Sequence, residues 1–150
     1  MKKVWAFSIS KALEEEKLQA LLELGKQFVQ EWTAHENKLH ADFTILNNRI
    51  ILVQVDESIY QASGCSIDKL MRLIKNLEDR FKVELLNRML VPVEHNGQLE
   101  ILHSSEIRSK LQKGELTSET LVYNTAISNS DELTQWKQPI KSSWLSRFLN

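Results

Sequence analysis

The chain has 150 residues, of which 42% are hydrophobic and 26% charged, with 19 basic against 20 acidic side chains. This composition is typical of a single globular domain, and a chain of this length buries roughly 68–70% of its unfolded surface, so its core needs neither disulfides nor a metal. The net charge of -1 gives no electrostatic reason to expect nucleic acid as a partner. The single cysteine, Cys65, excludes an intramolecular disulfide and favours a reducing compartment.

The N-terminal stretch and the apolar runs bear on localisation. No apolar run approaches the roughly 20 residues that cross a bilayer. Lys2 and Lys3 begin like a signal peptide, but Lys11 and the acidic run at 14–16 interrupt the chain before an apolar core of normal length forms. We therefore expect a cytoplasmic protein without a membrane partner.

The first elements in the chain are a strand and a long helix. Residues 4–9 are apolar and rich in β-forming side chains, which predicts a strand. Apolar residues then recur at helical spacing and predict a helix over residues 11–34. Gly25 lies on the apolar stripe of that helix, where a missing side chain allows a close approach to the element packed against it.

A hairpin and a second helix follow. Residues 43–45 alternate in polarity and residues 50–55 are almost continuously apolar, so we expect two strands joined by a tight turn at 47–48. The second strand carries apolar side chains on both faces, which is typical of a central strand. The next apolar stripe predicts a helix over residues 67–81, with Ser66 placed to cap its N-terminus.

Two more strands complete a recognisable order. Residues 86–93 predict a strand, in which Pro92 indicates an edge position, and the turn at 96–97 leads into a strand over 99–103. The resulting order is β-α-β-β-α-β with one extra strand. We therefore expect an α+β fold with a ferredoxin-like core over residues 1–103.

The remainder of the single domain, residues 104–150, is predicted to be a helical and irregular extension. It contains a short helix over 105–111 and a strand over 121–123. Its large apolar side chains are Trp136, Ile140, Trp144 and Phe148. A sheet with both helices on one face leaves the other face bare, so this extension either packs on that face or forms a homodimer interface.

The loop before the second predicted helix is the segment most suggestive of chemistry. Cys65 falls at the helix N-terminus, where free backbone N–H groups favour an anion and can activate a thiol. The same helix end could instead bind a phosphate or carboxylate. The residues that would then contact the ligand are Ser63, Gly64, Ser66 and Lys69.

The predicted strand directions bring several polar residues to the same end of the sheet as Cys65. These residues are His35, His40, Asp56, Glu57 and His95. A Cys65 nucleophile with His35 as base and Asp56 beside it would support acyl or phosphoryl transfer, with His40 and His95 as alternative bases. A Cys, His and Asp metal site is a further alternative, but the sequence predicts neither a bound metal nor a cofactor.

A lone cysteine is more often a small buried hydrophobe than a nucleophile, and a shared sheet end is a loose geometric constraint. The leading interpretation is therefore a noncatalytic domain that binds a small anionic ligand or a protein partner at the Cys65 end, with His95 among the contacting residues. The alternative is a Cys65-dependent enzyme. Whether the protein is an enzyme is left open by the sequence.

Residues 62–69, Ala-Ser-Gly-Cys-Ser-Ile-Asp-Lys, support a family resemblance together with Trp32, His35, residues 56–57 and residues 87–88. Across most of its length the chain resembles an uncharacterised family of bacterial proteins of about this size, some of which carry an automatic label as ABC transporter ATPases. The chain has no Gly-x-x-x-x-Gly-Lys-Ser/Thr motif, so it is not a P-loop ATPase. The resemblance implies a cytoplasmic bacterial protein and supplies no reaction.

Overall fold

A computed structural model describes residues 1–150. In chain order the elements are β1 (Lys2–Ser8), α1 (Glu15–Glu31), β2 (Thr33–Ala34), β3 (Asn37–Lys38), β4 (His40–Leu46), β5 (Ile50–Asp56), α2 (Gly64–Phe81), β6 (Leu90–His95), β7 (Gln98–His103), α3 (Ser104–Gln112), β8 (Leu121–Tyr123) and β9 (Lys137–Pro139), with short 3-10 turns after β8 and β9. The fold is α+β, as the sequence predicts. No helix has both the length and the apolar character needed to cross a membrane.

The first sheet has the antiparallel order β1-β5-β4, with the predicted central strand in the middle. Trp5 on β1 and Phe43 on β4 both lie opposite Val53 on β5, which confirms that these three residues share one sheet. Helices α1 and α2 cover one face and enclose the largest core of the protein, which has 18 buried residues. The sequence pattern therefore predicted this layer and its buried face.

The opposite face of the first sheet is covered by the C-terminal extension. Val4, Ile50 and Leu52 are buried there against Ile127 and an aromatic pair. The pair consists of Tyr123 and Trp136, whose rings meet edge to face with centroids 4.8 Å apart. The C-terminal extension therefore packs on the face of the sheet that the two helices leave bare.

The second sheet has the order β7-β6-β8-β9, so the ferredoxin-like order is not confirmed. In that order β6 would pair with β1, but β6 pairs with β7 and β8 instead. The edge position predicted from Pro92 is also wrong, because β6 lies inside its sheet. Proline is tolerated there because β8 pairs only with Val93 and Glu94, beyond Pro92.

Helix α1 is shorter than predicted, because a short hairpin of β2 and β3 replaces its expected last turn. His35 and Glu36 form the hairpin turn with φ angles of 51° and 69°. Two consecutive positive φ angles usually require Asn, Asp or Gly, so the sequence carried no turn signal here. The turns at Asn47–Asn48 and Asn96–Gly97 carry such residues and are both confirmed by positive φ angles.

The strand predicted over residues 86–93 begins later, at Leu90. The chain before it is held in an irregular path by the carboxylate of Glu78, which accepts hydrogen bonds from the backbone N–H groups of Leu85 and Leu86 at 2.7 and 3.1 Å. The backbone N–H groups of residues 85–86 are thus bonded to a side chain of α2 and are not available for pairing with a strand. The shift of this segment leaves the outer edge of β1 without the neighbour that a ferredoxin-like fold would supply.

Candidate functional site

The N-terminus of α2 is closed by its own side chains. Ser63 Oγ accepts the N–H of Ser66 at 3.1 Å, and Ser66 Oγ accepts the N–H of Ser63 at 2.7 Å and donates to the Ser63 carbonyl at 2.8 Å. This capping box explains why the helix starts at Gly64. Of the two serine hydroxyls predicted to hold an anion, that of Ser66 therefore donates its proton within the protein, and that of Ser63 serves the capping box as an acceptor.

Trp32 ties the same helix end to the β2–β3 hairpin. Its Nε1–H donates to the carbonyl of Ser66 over 2.8 Å in a buried position. Its ring also packs on Phe28, with centroids 5.2 Å apart. The local geometry of the 62–69 segment is thus explained by capping and packing.

The predicted catalytic residues do not form a connected site. Cys65 is exposed on α2, and His35 is exposed in the hairpin turn. His40 lies directly opposite Asp56 in the first sheet, but no hydrogen bond joins Cys65 to a histidine or to Asp56. The Asp56 carboxylate accepts the backbone N–H of Ser58 at 3.0 Å, and this bond lowers the pKa of Asp56.

The remaining residues of that end add no ligand set. Gly64 and Lys69 are exposed. No three His, Cys, Asp or Glu side chains are grouped so that they could hold a metal ion. The metal alternative therefore has no cluster of side chains to support it.

The placement of His95 beside Cys65 is wrong. His95 Nδ1 lies 3.9 Å from Glu100 in the second sheet. Glu100 in turn lies near Arg49. Burial lowers the pKa of Arg49, and the negative charge of Glu100 opposes that lowering. Arg49 donates to the Ile9 carbonyl just beyond the last residue of β1, whereas Asp56 lies opposite the first residues of β1. His95 therefore lies near the end of the first sheet that is opposite to Asp56, because β6 belongs to the second sheet.

The outer edge of β1 shows an interruption in its backbone pairing. Val4 N–H donates to the Ser128 carbonyl at 3.0 Å, and Ser10 N–H donates to the Glu84 carbonyl at 3.0 Å. Hydrogen-bonded and non-bonded pairs alternate along an antiparallel ladder, so the backbone groups of Ala6 and Ser8 point to the same edge as those of Val4. Neither residue has a backbone partner on that edge.

A cleft opens at this interruption, and we call it the β1-edge cleft. It is lined by Trp5, Ala6, Phe7, Ser8, Met71, Leu85, Leu86, Asn87, Arg88, Thr125 and Ile127. The volume of the cleft that a water molecule can reach is about 70 Å³. Seven of its eleven lining residues are hydrophobic, while polar and apolar atoms contribute about equally to its surface.

Ser8 is the unusual member of this lining. The residue is only 5% exposed, and its hydroxyl is a buried side-chain polar atom with no hydrogen-bond partner in the structure. No other buried side-chain nitrogen or oxygen atom lacks a partner. Buried hydroxyls are normally paired, so the unpaired Ser8 hydroxyl beside the cleft calls for a partner such as a water molecule or a ligand group.

The polar groups at the mouth of the β1-edge cleft differ in whether they already form hydrogen bonds or ion pairs within the protein. Asn87 Oδ1 accepts the N–H of Met89 and its Nδ2 donates to Glu84 Oε1, so its amide serves the local turn. Arg88 is exposed and forms no ion pair, and Thr125 makes no side-chain hydrogen bond. The cleft thus combines apolar walls with one cation and two unpaired hydroxyls.

The sequence did not predict this site, because the cleft exists only where β6 pairs in the second sheet and not with β1. Ser8 lies within the strand predicted over residues 4–9, and only the displacement of β6 leaves its backbone edge unpaired. The hydrophobic pattern of β1 carries no signal that distinguishes a paired edge from an open one.

Comparison with known proteins gives no match to a family model, to a curated protein or to a solved structure.

Proposed function

We propose that the protein is a noncatalytic domain that binds a small carboxylate with a short aliphatic group in the β1-edge cleft. The observation that carries the proposal is the buried, unpartnered hydroxyl of Ser8 in the cleft wall. The leading sequence interpretation, noncatalytic binding of a small anion, is kept, but its site moves from the Cys65 end to β1. The Cys65-dependent reaction has no contact in its favour.

The Ser8 hydroxyl supports a ligand because leaving it unpaired is costly. A buried hydroxyl without a partner destabilises a protein by about 1–3 kcal/mol. A ligand oxygen placed beside Ser8 would recover that free energy on binding. The unpaired backbone groups of Ala6 and Ser8 at the same edge offer further donors and acceptors.

Size and charge narrow the ligand class. The free space of about 70 Å³ is well below the roughly 150 Å³ of a cavity that holds benzene, so the buried group is a short aliphatic chain. Met71, Leu85 and Leu86 form the matching apolar wall. The unpaired guanidinium of Arg88 at the mouth favours a carboxylate, which it can hold in a bidentate pair.

The cellular setting of the proposal follows the sequence. We retain a cytoplasmic bacterial protein, with neither nucleic acid nor membrane as partner. A homodimer was expected only as an alternative way to cover the bare face of the first sheet. The C-terminal extension already covers that face, so the argument for a homodimer no longer applies. We expect a monomer by light scattering.

The test is a titration with isovalerate, a carboxylate with a short branched chain, followed by calorimetry or NMR. The account predicts binding with a Kd of about 1 mM, since the ligand has few heavy atoms. Isovaleramide, which has the same shape without the charge, should bind about tenfold more weakly. Absence of isovalerate binding at tens of millimolar would overturn the proposal.

Two variants locate the binding. Arg88→Gln removes the charge at the cleft and should weaken isovalerate binding by about tenfold. Arg80→Gln removes an equally exposed arginine from the last turn of α2, outside the cleft, and should leave the Kd unchanged. Equal effects of both substitutions would show a nonspecific charge effect and contradict the assignment of the site.

A further inference from the structure

We infer that the ligand of the β1-edge cleft is the C-terminal end of a peptide, which adds to β1 as a short strand. This inference rests on the proposed function and specifies its ligand. It starts from the backbone groups of Ala6 and Ser8, which point into the interruption without partners. An extended peptide supplies N–H and C=O groups at the spacing that such an edge requires.

The length of the interruption selects a chain terminus over an internal segment. The pairing of Val4 with Ser128 closes one end, and the pairing of Ser10 with Glu84 closes the other. The six residue steps from Val4 to Ser10 extend over roughly 20 Å at about 3.3 Å per residue. An internal segment would have to leave the edge at both closures, whereas a chain terminus has to leave it at only one, so the interruption favours a terminus.

The charges select a carboxyl terminus over an amino terminus. Arg88 lines the cleft and has no acidic partner. The carboxylate of Glu84, the acidic residue nearest in sequence, accepts a hydrogen bond from Asn87 and does not line the cleft. Lys3, with its Nζ 5.7 Å from the centre of the Trp5 ring, adds a second positive charge near the cleft wall.

The apolar wall selects the last side chain of the peptide. Its space of about 70 Å³ suits a branched aliphatic group such as that of valine better than an aromatic ring, and the peptide backbone would lie outside this space along the edge at Ala6. Isovalerate is a C-terminal valine without its backbone nitrogen. The difference in affinity between isovalerate and a peptide that ends in valine therefore measures the contribution of strand pairing.

The experiment compares acetyl-Ala-Ala-Val with a free carboxylate, the same peptide as its C-terminal amide, and a version N-methylated at the valine nitrogen. We expect the free peptide to bind about tenfold more tightly than isovalerate because of the added backbone hydrogen bonds. The amide should lose about tenfold through the missing charge. The N-methyl peptide should lose most of the gain over isovalerate, because methylation removes a pairing N–H.

The outcomes separate this inference from the proposed function. If isovalerate binds in an Arg88-dependent manner but the peptide binds no more tightly, the peptide inference is overturned and the proposed function stands. If neither compound binds, both are overturned. If the peptide and its amide bind equally, Arg88 does not hold a terminal carboxylate and the inference is wrong.

Discussion

The backbone N–H of Val4 donates to the carbonyl of Ser128 over 3.0 Å, and this bond is the last one on the outer edge of β1 before the cleft. Beside it, Ser130 N–H donates to the Lys2 carbonyl at 2.8 Å. Residues 128–130 therefore occupy the first half of the edge that a fourth strand would cover in a ferredoxin-like sheet. The second half, at Ala6 and Ser8, is left to the cleft.

The carboxylate of Glu132 holds residues 128–130 in place and predicts a pH dependence. Hydrogen bonds from the backbone N–H of Ser128, from its hydroxyl and from Asn129 lower the pKa of Glu132 from its ordinary value of 4.5. A lowered carboxyl pKa stabilises the folded state above the ordinary value, and this stabilisation is lost as the pH falls through the folded value. Below pH 4.5 we expect lower amide-exchange protection at Val4 and Ser130, measured relative to the intrinsic exchange rate at each pH.

The Glu132 prediction has a direct control. Glu132→Gln keeps the size of the side chain and removes its titration, so the protection factor at Val4 should no longer change over this pH range. Amide exchange followed by NMR measures both proteins. A Glu132 that titrates at or above 4.5 in the folded protein would contradict the assigned hydrogen bonds.

Ser8→Ala is expected to stabilise the protein. Removing a buried hydroxyl that has no partner should raise the free energy of unfolding by about 1 kcal/mol. The same change should weaken isovalerate binding, since the hydroxyl is assigned to the ligand. Urea unfolding and calorimetry measure the two effects on one preparation.

Ser66→Ala is the matched control, because Ser66 is also buried but its hydroxyl is fully bonded in the capping box. Its loss should lower the free energy of unfolding by about 1 kcal/mol. The two serine substitutions therefore have opposite signs. A loss of stability in Ser8→Ala similar to that in Ser66→Ala would show that the Ser8 hydroxyl is bonded within the protein.

Gly25→Ala is expected to destabilise the contact between α1 and the first sheet. A Cβ at Gly25 would overlap the ring of Phe43 on β4, which must then move in a close-packed core. Overpacking costs about 1–3 kcal/mol and exceeds the gain of up to about 1 kcal/mol in helix propensity. Gly64→Ala, which places its Cβ in open space, should be neutral or slightly stabilising in the same thermal unfolding assay.

Cys65→Ser tests the enzyme alternative on structural grounds. Cys65 is exposed and unbonded, so the substitution should change the free energy of unfolding by less than about 0.5 kcal/mol. Binding of isovalerate should also be unchanged, and alkylation of the wild-type thiol should have no effect on it. Loss of isovalerate binding after alkylation would indicate that the binding site is at the N-terminus of α2 and not at the β1-edge cleft.

The first layer of the fold could be predicted because its signals are local. The two helical stripes, the Asn47–Asn48 turn and the two-faced apolar strand each depend on neighbouring residues. Gly25 was correctly predicted as a packing position for the same reason. The β2–β3 hairpin escaped prediction because His35 and Glu36 adopt positive φ angles without the residues that usually signal them.

The candidate site could not be predicted because it depends on a long-range choice. Whether β6 pairs with β1 or starts a second sheet is decided by contacts such as those of Glu78 with residues 85–86. That choice moved His95 away from the Cys65 end and opened the β1-edge cleft. Reading Cys65 as a helix N-terminal residue was correct, but its position alone did not connect it to a base.

The most direct test of the β1-edge cleft is chemical-shift mapping of ¹⁵N-labelled protein titrated with acetyl-Ala-Ala-Val. The account predicts that the largest saturable shifts fall on the amides of Ala6, Ser8, Arg88 and Thr125, and that in Arg88→Gln they saturate only at about tenfold higher peptide concentration. Shifts centred on residues 63–69 at the N-terminus of α2, with none on β1, would contradict it.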